Sequence, residues 1–341
     1  MNAPTSSAPD ALQTFAVDRF QPADAAGVVA LFRAVYGEAY PIKHYYDADW
    51  LTQANARNEV VSVVARTPSG GIISHMAAYR SAAVSPKLYE WGLGLTLAQY
   101  RAQQASSKLA VYLIQILPEL GLDGIYGEAV CNHTGMQKIT ELVNVANTAL
   151  EVDVMPAEAY AAEKSAKGRV SCLFSVIAQT QTPQTLYLPA PYLDYARQIL
   201  AELPFARTLL AASATPSAAA SDVQTAVFDF AQVIRCQVTA CGPDIETSLS
   251  AMEQLAEVKQ CTTRQVFLNL ADPGVDAAAQ WLRQRGYSFA GLIPLWFGSD
   301  GLLLQKMMHA PCFDDIKLHS PKAKELLTLV RQDWQAVQQG V

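Results

Sequence analysis

At 341 residues, with 51% apolar and only 16% charged residues, the chain is sized for two domains of about 150 residues each and is too apolar for general disorder. A formal charge of −6, with no stripe of Lys and Arg, excludes a phosphate-neutralising surface, so nucleic acid is not an expected partner. Apolar runs such as Leu109 to Leu117 fall far short of a bilayer span, and six scattered cysteines without a C-x-x-C pair or a leader read as free thiols of a cytoplasmic protein, with no zinc. The apolar composition also leaves room for a homodimer.

Residues 1–13, opening MNAPTSSAPD, are small, polar and proline-bearing, and are expected as a disordered tail. FAVDRF then alternates like a strand, and PADAAGVVALFRAVYG has an acidic first turn and apolar residues at helical spacing. Glu59 to Arg66, the turn TPSGG and Gly71 to Arg80 read as a hairpin, and LYEWGLGLT supplies another strand. A turn at Tyr100 and Arg101 leads into a helix from about Gln103 to Leu117, stopped by Pro118 and Gly121. The apolar run GIYGEAV, Gly124 to Val130, suits a buried central strand. A helix follows Asn132, and a strand begins near Thr148.

The polar, proline-bearing stretch 179–191 reads as a linker between an N-terminal domain, 14–178, and a C-terminal one, 192–312, with an amphipathic helix in 313–341. Beyond it, YLDYARQILAEL is helical, TAVFDF and VIRCQVTAC are paired strands, and DIETSLSAMEQLAEVKQ is a helix. VFLNLA reads as a buried strand, Asp272 as a cap for the helix PGVDAAAQWLRQR, and YSFAGLIPLW and GLLLQKMM as closing strands. Both halves thus share one order of helix, strand hairpin, helix, strand, helix, strand, an internal repeat at domain scale.

Five groups of residues carry a likeness: YGEAYP (Tyr36 to Pro41) with the aromatic and acidic residues after it, Glu90 with Gly92, Tyr100 with Arg101, GEAVCNH (Gly127 to His133), and, in the second half, LADPGVDAAAQWLRQRGYSFAGLIPLW with LLLQKM. On these residues the chain resembles the GNAT superfamily of N-acetyltransferases, as a tandem pair with a degenerate second copy. The resemblance implies an α/β (α+β, mixed-sheet) fold class: two tandem domains, each a mixed, mostly antiparallel twisted sheet flanked by helices. It also implies acetyl-CoA or another acyl-CoA as co-substrate, no metal, and direct transfer to a small-molecule amine.

The superfamily's donor loop reads Q/R-x-x-G-x-G/A, where this chain has Arg101, Ala102, Gln103, Gln104, Ala105 and Ser106. Arg101 fits, whereas Gln104 and Ser106 stand at the two small positions that let backbone amides approach a pyrophosphate. A helix N-terminus attracts phosphate whatever its side chains, by up to ~2 kcal/mol. The resemblance therefore places donor binding on Arg101, Gln104 and Ser106, and on Asn132, which matches the asparagine that meets the pantetheine arm. The second half carries no such loop.

Aminolysis of a thioester needs a base for the attacking amine and donors for the carbonyl. Glu90 matches the strand carboxylate that serves as base in the superfamily; the alternative is a strand carboxylate with a structural partner. Glu128 lies in an apolar run and must be paired, solvated by a cleft, or shifted in pKa. His133 is an acid–base candidate or a hydrogen-bonded surface residue, and Asn132 is a pantetheine contact or a helix cap. His75 lies within a strand, where a structural role is the stronger reading, and Cys131 reads as a small buried residue. Tyr36, Tyr40, Tyr45 and Tyr46, with His44, Trp50, Asp47 and Asp49, form an aromatic and acidic run suited to a cationic acceptor, or else a core edge. Three functions follow: an N-acyltransferase using acyl-CoA, a non-catalytic binding or partner protein that has lost acetyl-CoA affinity, and an acyltransferase whose donor is an acyl carrier protein.

Overall fold

The alternation in AVDR and the helical spacing after it become β1 (Ala16–Arg19) and α1 (Ala25–Tyr36), the helix ending where Gly37 takes a left-handed φ of +59°. The computed structural model describes residues 12–38, 40, 42–160, 166, 168–180, 182–201 and 203–340, so most of the expected tail, and Ala39 and Pro41 of YGEAYP, lie outside the described residues. By its internal contacts the chain divides into two units: Met1–Ser81 with Tyr89–Leu120, and Ala82–Leu88 with Gly121–Val341.

In the first unit the aromatic run leads into a helix that its spacing does not announce, α2 (Ala48–Ala56), capped by Asp47, whose carboxylate accepts from the amides of Asp49 and Trp50. β2 (Val60–Arg66), β3 (Ile72–Tyr79) and β4 (Leu88–Thr96) follow, then α3 (Ala105–Ile116). The four strands pair in the order β1-β2-β3-β4, all antiparallel. Phe32 of α1 and Leu51 of α2 are buried against Val60, Val64 and Ala77 on one face of this sheet. On the other face α3 packs against β2 and β3, its Leu109, Ala110 and Leu113 buried.

The second unit opens with β5 (Gly124–Val130), α4 (Gly135–Glu141), β6 (Ala146–Met155) and β7 (Val170–Ala178). Within the stretch read as a linker, residues 184–188 instead form β8 (Gln184–Leu188), paired in parallel with β9 (Arg207–Ala211) across α5 (Leu193–Leu200). Then come β10 (Asp222–Phe228), β11 (Val233–Ala240), α6 (Ile245–Val258), β12 (Thr263–Asn269), α7 (Val275–Gln284), β13 (Ser288–Ile293), β14 (Gly301–Met307) and α8 (Pro321–Gln338). The large sheet runs β5-β7-β6-β13-β14-β12-β11-β10, and among the described residues only β11 and β12 in it are parallel. It is thus mixed and mostly antiparallel. Leu249, Met252, Leu282 and Val330 bring α6, α7 and α8 onto its core.

The strand trio β5-β7-β6 is repeated in reverse as β13-β14-β12, and the two trios meet where Gly291 of β13 faces Ala149 of β6. Gly291 holds φ at +131°, and a Cβ there would fall inside the backbone of Thr148 and Ala149, so only glycine permits this seam. The parallel pair β11 and β12 keeps continuous register from Val233 opposite Thr263 to Val238 opposite Leu268. Asp272 precedes α7 rather than capping it directly: it accepts from the amides of Gly274 and Cys241, tying the start of that helix to the end of β11.

Candidate active site

Glu90 and Tyr79 are direct cross-strand partners on β4 and β3, so their side chains leave the same face of the first unit's sheet. The Tyr79 hydroxyl donates to Glu90 Oε1 at 2.5 Å. Around them the predicted tyrosines are organised by Phe32, whose ring stacks on Tyr45 at 5.4 Å and meets Tyr40 edge-on at 5.3 Å. Tyr36 packs 5.0 Å from Tyr40 and is 42% exposed, Tyr45 is buried, and the Tyr46 hydroxyl accepts from the Tyr40 amide. Burial raises the Tyr40 phenol above its ordinary range, helped by Tyr45, Tyr36 and the Glu90 carboxylate; burial and then Glu90 do the same to Tyr45 and Tyr79. These three phenols therefore stay neutral donors beside one carboxylate. Among the predicted residues the structure brings Glu90, Tyr40 and Tyr45 together, and it adds Tyr79, whose place depends on the β3–β4 register.

Between Gly92 and Leu95, β4 carries a bulge. Gly92 pairs with Ala77 and Leu95 with His75, and Leu93 takes a left-handed φ of +54°, a costly conformation for a leucine. The Leu93 carbonyl is held at 3.0 Å by Nδ1 of His75, whose Nε2 lies 3.0 Å from the Ser62 hydroxyl. Nδ1 donates to the carbonyl, and Nε2 accepts from the hydroxyl. Burial lowers the pKa of His75 to about 4, so the ring is neutral. His75 is thus a satisfied core histidine that pins the bulge.

At the loop that the resemblance assigns to the donor, Gln104 takes φ +59° and ψ +27°, a left-handed conformation that glycine adopts most readily, and α3 begins immediately after it. Its side chain is exposed. The Ser106 hydroxyl lies 2.8 Å from that of Thr96, which lies 2.6 Å from that of Ser74, so the first turn of α3 is tied to the sheet by a chain of hydroxyls. Arg101 is exposed in the short 3-10 turn Ala98–Gln103. The opening amides of α3 have no partners within their own helix.

The remaining predicted residues lie in the second unit. Glu128, on β5, has its carboxylate 3.5 Å from the Arg235 guanidinium of β11, and Arg235 also binds the buried Glu151 of β6 at 2.9 Å. An acid in the run GIYGEAV is therefore paired, as its surroundings require, but both partners come from segments that local sequence does not connect to it. Asn132 is buried and lines a cavity of about 260 Å³ with Arg169, Cys312 and Lys317. It is not the helix cap, because α4 starts at Gly135 after Thr134. His133 is exposed, and its Nδ1 accepts from the Gly135 amide at 3.2 Å. Burial pushes the Cys131 thiol up to about 12, which leaves it unreactive near neutral pH. Among the described residues no group of three or more His, Cys, Asp or Glu is placed to hold a metal, and no helix is long and apolar enough to cross a membrane.

No protein-family model matches the chain, and no curated protein does. Solved structures similar to it include yncA of Salmonella typhimurium with its cofactor acetyl-CoA, at 13% identity and a TM-score of 0.40 over 49% of this chain and 95% of that one. The spermidine/spermine N-acetyltransferase SpeG of Vibrio cholerae is similar at 10% identity and a TM-score of 0.38, over 49% and 95%. An aminoglycoside 6'-N-acetyltransferase complexed with coenzyme A is similar at 12% and 0.37, over 50% and 99%. These solved structures are acetyltransferases, as the resemblance read in the sequence leads one to expect; at such TM-scores the likeness decides nothing further about this chain.

Proposed function

We propose that the chain is an N-acyltransferase that moves an acyl group from acyl-CoA to a small amine by direct attack, with Glu90 as the base. The observation that carries this reading is the Glu90 carboxylate, oriented at 2.5 Å by the Tyr79 hydroxyl amid neutral phenols. An ammonium is attracted by a carboxylate and by ring faces alike, so Tyr36, Tyr40, Tyr45 and Tyr46 form the acceptor's surroundings. Glu90 takes a proton from the bound ammonium, and the freed amine attacks the thioester carbonyl. The C–N bond forms, the C–S bond breaks, and the thiolate leaves with a proton available to it. The turn at Gln104 with the start of α3 suits the donor's phosphates.

The acid–base role read for Glu128 from its place in an apolar run, and the pantetheine contact that the resemblance implies for Asn132, are carried as separate proposals. His133 is assigned no step, since its ring nitrogen is engaged at the start of α4. The C-terminal half is assigned no donor site, in keeping with the uninterrupted pairing of β11 and β12.

Isothermal titration with acetyl-CoA and longer acyl-CoAs tests the donor, and turnover of an amine panel by the wild type and Glu90→Gln tests the base. Absence of heat at millimolar acyl-CoA would sink the proposal. The side chains of Gln104 and Ser106 favour a second reading, a binding protein without donor affinity, which predicts heat with amines alone. Turnover with an acylated carrier protein, but not with acyl-CoA, would move the donor assignment instead.

A further inference from the structure

The cavity of about 260 Å³ in the second unit has, apart from Asn132, no part in the transfer reaction as proposed. Its wall joins three segments: Asn132 after β5, Arg169 and Ser171 at the start of β7, and Cys312 and Lys317 in the stretch between β14 and α8. Backbone pairing fixes these segments to one another. The Cys131 amide donates to the Ser171 carbonyl at 2.8 Å, and the Lys317 amide to the Cys131 carbonyl at 2.7 Å. The buried Gln137 holds the third segment from both ends of its amide, donating to the Lys317 carbonyl and accepting from the His319 amide, each at 2.9 Å. The wall is therefore preformed, and no residue of the loop 101–106 belongs to it among those described.

Arg169 is half-buried on this wall and held by backbone carbonyls. Its Nε donates to Asp153 at 2.7 Å, and its Nη2 to Ala231 at 2.6 Å and Val154 at 3.3 Å. Among the described residues no carboxylate forms an ion pair with it, and the two N–H groups of Nη1 are not engaged. Asp153 instead spends Oδ2 on His309 Nε2 at 3.1 Å and on the Cys312 amide at 3.0 Å. Burial lowers the pKa of the guanidinium against the pull of Asp153 and Glu158. Lys317 is exposed on the same wall and likewise has no ion pair among the described residues, while Asp315 is the one carboxylate lining it. Two cations against one carboxylate leave the wall positive, and a cation withdrawn from water is costly until an anion pairs with it.

We propose that this cavity is a second ligand site, which takes a small molecule through a carboxylate or phosphate group, with Arg169 and Lys317 as the counter-charges. The Ser171 hydroxyl accepts from the Asp153 amide at 3.0 Å, which leaves its own proton to donate to the same oxyanion. The volume lies below the ~300 to 1,000 Å³ of most ligand pockets and suits a molecule of a few carbons rather than a nucleotide. Occupancy of the site does not depend on acyl transfer and is read without turnover.

The test uses the full chain with inorganic phosphate and succinate as probes, at constant ionic strength in chloride. Cys312 lines the cavity and is the one of the six cysteines that is not buried, so it reports occupancy. Iodoacetamide, a neutral reagent, should label it, and a bound oxyanion should slow that labelling several-fold and saturably, as read by mass spectrometry. Protection by phosphate alone identifies a phosphate ligand and protection by succinate alone a carboxylate ligand; either upholds the site. By calorimetry, Arg169→Gln should weaken binding about tenfold, the loss of a hydrogen bond between charged groups. Lys317→Gln should weaken it about threefold, as an exposed ion pair does. Absence of protection by both probes at millimolar concentration overturns the proposal, as does undiminished affinity in Arg169→Gln. If circular dichroism shows that variant unfolded, undiminished affinity in Lys317→Gln overturns it. Protection by acetyl-CoA but by neither probe would give the cavity to the donor's arm through Asn132 and would also overturn it.

Discussion

The hydroxyl of Tyr79 reaches Glu90 across Gly92, where an added Cβ would stand 2.9 Å from the tyrosine oxygen. Glycine at that position makes room for the contact, and the contact orients the carboxylate. Glu90→Gln is expected to lower kcat/KM for the amine about a hundredfold or more, within the usual range for loss of a general base. Tyr79→Phe should cost about tenfold, the worth of one hydrogen bond to a charged group, and Gly92→Ala should match it by crowding the ring. Steady-state rates alongside titration of acyl-CoA check this. An equal loss of donor affinity in all three variants would instead indicate collapse of β4.

Gln104 occupies a left-handed backbone conformation that costs a non-glycine residue about 1 kcal/mol. Gln104→Gly removes that strain but loosens the unfolded chain by a similar amount, so stability should change by less than about 1 kcal/mol. Affinity for acyl-CoA should rise, because the amides that open α3 lose an obstructing side chain. Calorimetry on wild type and variant decides: a variant that binds no more tightly than wild type means that the turn is not a phosphate cradle.

Two buried groups give stability opposite slopes with pH. His75 has its folded pKa lowered to about 4, so its contribution is complete above the ordinary histidine value of 6.5 and is lost as pH falls toward 4. The loss amounts to about 3 kcal/mol at full protonation. Glu151 has its pKa raised, so its contribution is complete below the ordinary carboxylate range and is lost as pH rises through its folded value. Urea unfolding across this range should give a stability maximum in between. His75→Gln should flatten the acid side and Glu151→Gln the alkaline side; slopes unchanged in both variants would refute the assignment.

Several of these elements are legible in the sequence, and the rest fail for identifiable reasons. GIYGEAV is β5 as read, because a short apolar run between two turns has few other solutions. The start of α2 is hidden because Tyr45, Tyr46 and Trp50 obscure a helical period and Asp47 reads as an acidic patch rather than a cap. β8 sits between Pro183 and Pro189, whose turn signals outweigh the strand character of TLYL, and its partner β9 is known only from the fold. Glu90 can be singled out as a residue type at a strand position, whereas Tyr79 needs a register. Glu151 and Arg235 are 84 residues apart, on strands that become close only when the two trios meet.

That meeting supplies the last test. Gly291 faces Ala149 at the seam between β13 and β6, with φ at +131° and no space for a Cβ against the backbone of Thr148 and Ala149. Gly291→Ala therefore combines a backbone conformation closed to alanine with a steric clash that only strand separation relieves. The expected cost is about 3 kcal/mol or more, summing overpacking and φ strain. Chemical denaturation measures the loss, and a variant as stable as the wild type would show that the two trios are held together by something other than close contact at Gly291.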